Sequence, residues 1–226
     1  MKQIKKNYLA EVIFEIRFPA ELSIESQKDR YYERIRKHFP QILIPKTATS
    51  EAYGLEPYKF ASKEWNRFIA FSINKFFYIS NEYQNFQIFR QELQDCLIPF
   101  LKLHSQISTL KKVSLKYTNR FPISRKAELI PLEDYLNYEY KLPDGIPNQF
   151  TSFFSDFTSK TKDGNLRMHV QYENEKEELV LGLEFFFDNQ LIVSQIPEYT
   201  NNAHEYIKKA FFSLLKNQPE DTYKEI

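Results

Sequence analysis

The clearest alternation of apolar and polar positions lies near the N-terminus. In Glu11-Val12-Ile13-Phe14-Glu15-Ile16-Arg17-Phe18-Pro19, the side chains of Val12, Phe14, Ile16 and Phe18 share one face. Glu11, Glu15 and Arg17 take the other. A period of two closed by a proline predicts a half-buried strand. The stretch has an echo in Ser114-Leu115-Lys116-Tyr117-Thr118-Asn119-Arg120-Phe121-Pro122. Both copies read aromatic-x-x-Arg-Phe-Pro. In the second, Val113, Leu115, Tyr117 and Phe121 alternate with Ser114, Lys116, Thr118 and Arg120, and Asn119 falls on the apolar parity.

Helical periodicity marks residues 24–39, where Ile24, Tyr31, Tyr32, Ile35 and Phe39 form a stripe that ends at Pro40. Residues 40–57 lack a period and read as a loop. Three β-like runs follow at 58–65, 67–74 and 75–81, with turns at Asn66 and Asn74-Lys75. The strongest helix spans 85–104, on the stripe Phe86, Phe89, Leu93, Cys96, Leu97, Phe100 and Leu101. Pro99 is expected to kink or divide it.

The order then restarts with a strand at 113–121, a short helix at 132–138 and a loop at 141–149. In the segment 150–158, Phe150, Phe153, Phe154 and Phe157 have helical spacing, but the run feeds the turn Lys162-Asp163-Gly164-Asn165, which favours a strand in a hairpin. Strands at 166–172 and 179–187 flank a charged turn. A further strand, 191–195, follows the Asp188-Asn189 turn. A last helix is expected from about Asn202, which with Glu205 resembles a capping box. Residues 217–226 read as a polar tail.

Each half thus runs strand, helix, three or more strands, long helix. This predicts an α+β fold of two similar β-α-β(3-4)-α halves, residues 1–108 and 109–217, with a tail at 218–226. Joined edge to edge, the halves make one curved antiparallel sheet with its helices packed on one face.

Composition narrows the function classes. Only 4 of 226 residues are glycine, whereas 21 are phenylalanine and 15 tyrosine. Such a chain has core material in plenty and few sites for a glycine-rich phosphate loop. A net charge of +1, from 31 basic and 30 acidic residues, argues against a strongly electrostatic nucleic-acid binder. The one cysteine, Cys96, lies on a helix's apolar stripe and reads as a buried thiol in a reducing compartment. No apolar run matches the ~20 residues of a membrane span, and the basic N-terminus leads into a stretch broken by Glu11 and Glu15 rather than a signal sequence. A cytoplasmic protein is expected.

The candidate chemistry sits on the two lead strands. Glu11, Glu15, Arg17, Lys116, Asn119 and Arg120 form the best polar constellation. Arg17 and Arg120 offer forked donors for a carboxylate or other anion, oriented by the glutamates. The same residues fit a ladder of cross-strand ion pairs on a solvated face, the commoner arrangement. Asn119 fits a buried amide that satisfies backbone groups at a bend. His38, His104, His169 and His204 have no metal-ligand spacing, no nucleophile motif appears, and neither a cofactor nor a catalytic residue is assigned.

Three segments resemble an uncharacterised bacterial family of sporadic distribution. They are Glu11 to Phe18, matching E-V-x-F-E-I-R-F; Lys116-Tyr117-Thr118-Asn119-Arg120, matching R-Y-x-N-R with lysine in the first place; and His204-x-x-Ile207 followed by Phe211 and Phe212, matching H-x-x-I and its aromatics. The resemblance implies a stand-alone protein with no established activity. Patchy distribution of this kind implies a gene that travels with mobile or defence cassettes, which suits a partner-binding role. The expected function is a non-enzymatic interaction protein that recognises a protein partner, in bacterial defence or toxin control. A saddle-like nucleic-acid binder, with Lys111, Lys112, Lys116, Arg120, Arg125 and Lys126 as its basic stripe, is the alternative. An enzyme with an unrecognised site is the third, and self-association into a homo-oligomer is compatible with each.

Overall fold

The computed structural model describes residues 8–43, 58–137, 144, 149–189 and 191–216. The loop at 141–149 lies almost wholly outside the described residues, and the tail at 218–226 does so entirely. The described chain is mixed α+β, with a nine-stranded antiparallel sheet and four helices. It begins with β1 (Leu9–Arg17), α1 (Ser23–Ile35), β2 (Gln41–Leu43), β3 (Tyr58–Ala61), β4 (Arg67–Ser72), β5 (Lys75–Ser80) and α2 (Phe86–Leu103). After it come β6 (Thr109–Leu110), β7 (Lys112–Pro122), α3 (Leu132–Tyr135), β8 (Phe154–Lys160), β9 (Asn165–Glu173), β10 (Glu178–Phe187), β11 (Leu191–Ile192), a 3-10 turn at Val193–Gln195 and α4 (Ile196–Leu214). Across the sheet the order is β2-β3-β4-β5-β1-β7-β10-β9-β8, with β6 and β11 paired separately.

The two echoing strands are neighbours at the centre. Val12 lies opposite Tyr117, Phe14 opposite Leu115 and Ile16 opposite Val113, so their apolar parities coincide. All six side chains are buried. Aromatic rings show what covers them. From α1, Tyr31 packs edge-on against Phe71 and Phe76; from α2, Phe89 meets Tyr78 and Phe100 meets Phe76; from α4, Phe211 stacks on Phe121 and Tyr206 on Phe185. These strand residues share the parity of Phe14 and Tyr117, so α1, α2 and α4 pack on one face.

Several expectations need correction. Part of the loop expected over 40–57 is strand: Gln41–Leu43 pairs with β3 and forms one edge of the sheet. Pro99 does not divide α2, which runs on to Leu103 because Phe100, fully buried among Phe18, Tyr31, Phe71 and Phe76, anchors the segment beyond it. The segment at 191–195 is a two-residue strand and a 3-10 turn. The last helix starts at Ile196, six residues before Asn202, with Pro197 in its first turn, where its fixed φ suits helix entry. Asn202 is therefore no N-cap. His204 lies beyond the first turn, in the buried stripe with Thr200, Ala203, Ile207 and Phe211.

Candidate functional site

Successive side chains leave a strand on opposite sides, so the residues that do not face the helices form a second sheet face. No helix among the described residues packs on it. Its centre carries Glu11, Ile13, Glu15 and Arg17 from β1, and Lys112, Ser114, Lys116, Thr118 and Arg120 from β7. Five of the six residues singled out in the sequence therefore share this face. Asn119 does not: it turns to the helices and is 2% exposed.

Arg17 and Arg120 stand at opposite ends of the central pair. Arg17 lies across from Lys112, eight residues before Arg120 on β7, which at ~3.3 Å per residue separates the two by ~26 Å. They do not converge on one small ligand. Each is also occupied by carboxylates. Arg17 Nε donates to Glu15 at 2.5 Å, and Lys112 bridges Glu15 at 3.6 Å and Glu184 at 2.6 Å. Arg120 donates to Glu173 at 2.8 Å and Glu178 at 3.1 Å. The hydrogen bond from Arg120 holds the Glu173 carboxyl below its ordinary pKa, and both guanidiniums are held above theirs, chiefly by hydrogen bonds to Glu15 and Glu173 respectively.

Between these clusters lies a depression of about 270 Å³, lined by Lys116, Asp156, Arg167, His169, Gly182 and Glu184. Gly182 creates it. The residue lies on the open face between Thr118 and His169, and a side chain there would stand over the sheet. A Cβ at Gly182 would meet His169 Cβ at 3.5 Å and Lys116 Cε at 3.7 Å, so the lysine arm already leans across the gap. Arg167 forks onto Asp156 at 2.9 and 2.6 Å, and this holds the Asp156 carboxyl below its usual range. His169 Nδ1 lies 3.7 Å from the same carboxylate. Among the described residues, Lys116 has no carboxylate within ion-pair distance.

Sequence reasoning found Lys116 but missed its neighbours, which come from β8, β9 and β10. One local signal existed: a glycine inside a strand pattern marks a place where something approaches the backbone closely, and Gly182 is such a glycine.

The expected basic stripe is ion-paired at three of its six residues. Lys112 and Arg120 are paired as above, Lys126 binds Asp134 at 2.5 Å, and Arg125 donates to Asn174 and to the backbone of Glu128 and Thr151. Among the described residues no group of three or more His, Cys, Asp or Glu is placed to hold a metal ion. No described helix is long and apolar enough to cross a membrane.

His104 and His204 are both buried. His104 caps α2 but is fully buried, with neither ring nitrogen hydrogen-bonded, and burial pushes its pKa down. It does not serve as a cation at the helix end. His204 is a buried partner of Tyr117, with Phe86 stacked on its ring at 3.9 Å.

No protein-family model matches this chain, and no curated protein matches it either.

Proposed function

We propose that the protein is a non-enzymatic interaction module that docks a partner protein on its open sheet face. The observation that carries the reading is the character of that face. Its β4-β5-β1 side presents half-buried Phe68, Phe77, Ile79 and Ile13, and on its β7-β10-β9 side Lys112, Arg120 and Arg167 are balanced by intramolecular carboxylates while Lys116 is not. An apolar area bordered by paired charges suits a protein surface. Phosphate neutralisation draws on a surplus of cations, and three of the six residues in the basic stripe, Lys112, Arg120 and Lys126, are already paired with carboxylates. The cytoplasmic setting in bacterial defence or toxin control rests on the sequence resemblance.

The two-half architecture belongs to the same proposal. Read outward from the centre, the order is β1-β5-β4-β3 on one side and β7-β10-β9-β8 on the other. The shift of 103 residues (120 − 17) that carries Arg17 onto Arg120 also carries Ile13 onto Lys116, and these two face each other across β1 and β7. A local twofold axis between duplicated strands requires such a self-equivalent pair. Superposition of the halves in an experimental structure, at this shift, should place inward-facing positions on inward-facing positions. A one-residue slip would put them on opposite faces and refute duplication.

The docking reading is tested by capture of partners from native cells on immobilised protein. Phe77→Arg, on the open face, should abolish retention of any partner held by the unaltered protein. Ile98→Arg, at an exposed position on α2, should leave it intact. Equal retention by both variants would place the contact elsewhere.

A further inference from the structure

We propose that the depression at Gly182 receives a single carboxylate carried on an extended segment of the partner protein, with Lys116 as its counter-ion. This rests on the open-face docking reading and gives its recognition chemistry.

Charge sets the ligand's sign and number. The depression contains Lys116, Arg167, Asp156 and Glu184. Arg167 is consumed by the fork to Asp156, and Glu184 is consumed by Lys112 from the adjoining row. Lys116 is left as one positive charge over the floor. A monoanion balances it. A phosphate dianion would exceed that charge while lying beside two carboxylates. The pairing of Glu184 with Lys112 rather than with Lys116, which lies directly opposite it on β7, keeps the ammonium available.

Shape sets the size. A volume of about 270 Å³ is below the ~300–1,000 Å³ of sites that enclose a drug-sized ligand or cofactor. It suits one side chain reaching down from a segment laid across the sheet. Phe154 stands at the margin, 64% exposed and edge-on to the His169 ring at 5.1 Å. Its face is available to an apolar residue beside the acidic one. The expected motif is an acidic residue flanked by apolar ones, bound through a charge-assisted hydrogen bond to Lys116 Nζ.

The test is an NMR titration of the isotopically labelled full-length protein. The probes are a blocked tripeptide with glutamate between two leucines, the same peptide with glutamine, and inorganic phosphate. The glutamate peptide should shift the Gly182 amide and His169 ring signals saturably, and the glutamine peptide should bind at least tenfold more weakly. Lys116→Gln should reduce glutamate-peptide affinity at least tenfold, whereas Lys75→Gln on β5 should leave it unchanged. Gly182→Ala, whose added methyl meets only ordinary contacts, preserves the fold and should weaken binding, with Gly182→Val weakening it further. Equal binding of the two peptides, undiminished binding by Lys116→Gln, tighter binding of phosphate, or no saturable shift each overturns the proposal. If Lys116→Gln still retains a partner that Phe77→Arg loses, open-face docking stands and the carboxylate site falls.

Discussion

Tyr117 Oη and His204 Nδ1 lie 2.8 Å apart, joining the central strand β7 to α4 inside the core. Tyr83 Oη approaches Tyr117 Oη at 3.4 Å, so a short polar chain runs through otherwise apolar packing. Tyr117 and His204 are 2% and 4% exposed. Deleting one partner of a buried hydrogen bond leaves the other desolvated, at a cost of about 1–3 kcal/mol. Tyr117→Phe is expected to lower unfolding free energy by that amount in urea titrations. A loss below ~0.5 kcal/mol, the range of neutral surface changes, would show that the bond contributes little.

His104 makes stability depend on mild acid. Its folded-state pKa is depressed, above all by burial, so the unfolded chain takes up the proton first. Stability should therefore fall as pH drops below about 6.5, the ordinary histidine value, and the decline from this residue ends at its lower folded pKa. Above 6.5 it contributes no slope. Denaturant midpoints at pH 7.5 and 5.5 should differ more for the unaltered protein than for His104→Leu. Parallel profiles would assign the slope to other groups.

Gly164 has no room for a side chain. An added Cβ would lie 2.7 Å from Phe186 O and 2.9 Å from the Phe185 ring, and a backbone oxygen does not swing away as a flexible side chain does. The turn is held there by Thr161, whose hydroxyl donates to the Gly164 carbonyl at 2.9 Å and accepts from its amide at 3.0 Å. Gly164→Ala should destabilise by about 1–3 kcal/mol through overpacking, seen as a lower Tm. An unchanged Tm would mean that the β8–β9 turn shifts freely.

Cys96 should be inert in the folded protein. It is 4% exposed and its thiol pKa is pushed up, chiefly by burial, so little nucleophilic thiolate exists at neutral pH. Labelling by a disulfide reagent should be slow in buffer and fast in denaturant, its rate following opening of the α2 region. Rapid native labelling would contradict the packing of α2 against β5.

The open-face ladder should contribute little individually. Arg120 is one-third exposed and shares two carboxylates. Arg120→Ala is therefore expected to cost no more than ~1 kcal/mol, with the difference shrinking in added salt. A larger loss in denaturant titrations, unaffected by salt, would indicate a structural role beyond ion pairing.

Local periodicity in the amino-acid sequence determined that Val12, Phe14, Ile16, Leu115 and Tyr117 face inward and that α2 carries one oily stripe, because strand and helix repeats act over a few residues. Those repeats also put Glu15, Arg17, Lys116 and Arg120 on the outward parity, and Asn119 on the inward one. They misjudged the start of α4, where Thr200-Asn201-Asn202 imitates a cap although Ile196 and Thr200 already pack inward. Only the tertiary structure decided which strands became neighbours. Register is a long-range choice: it set Glu184 beside Lys116 yet paired it with Lys112, it placed Gly182 next to His169, and it held the two arginines a sheet's length apart. A period assigns a side chain to a face but says nothing of what lies across from it, and the chemistry of this face is made by what lies across.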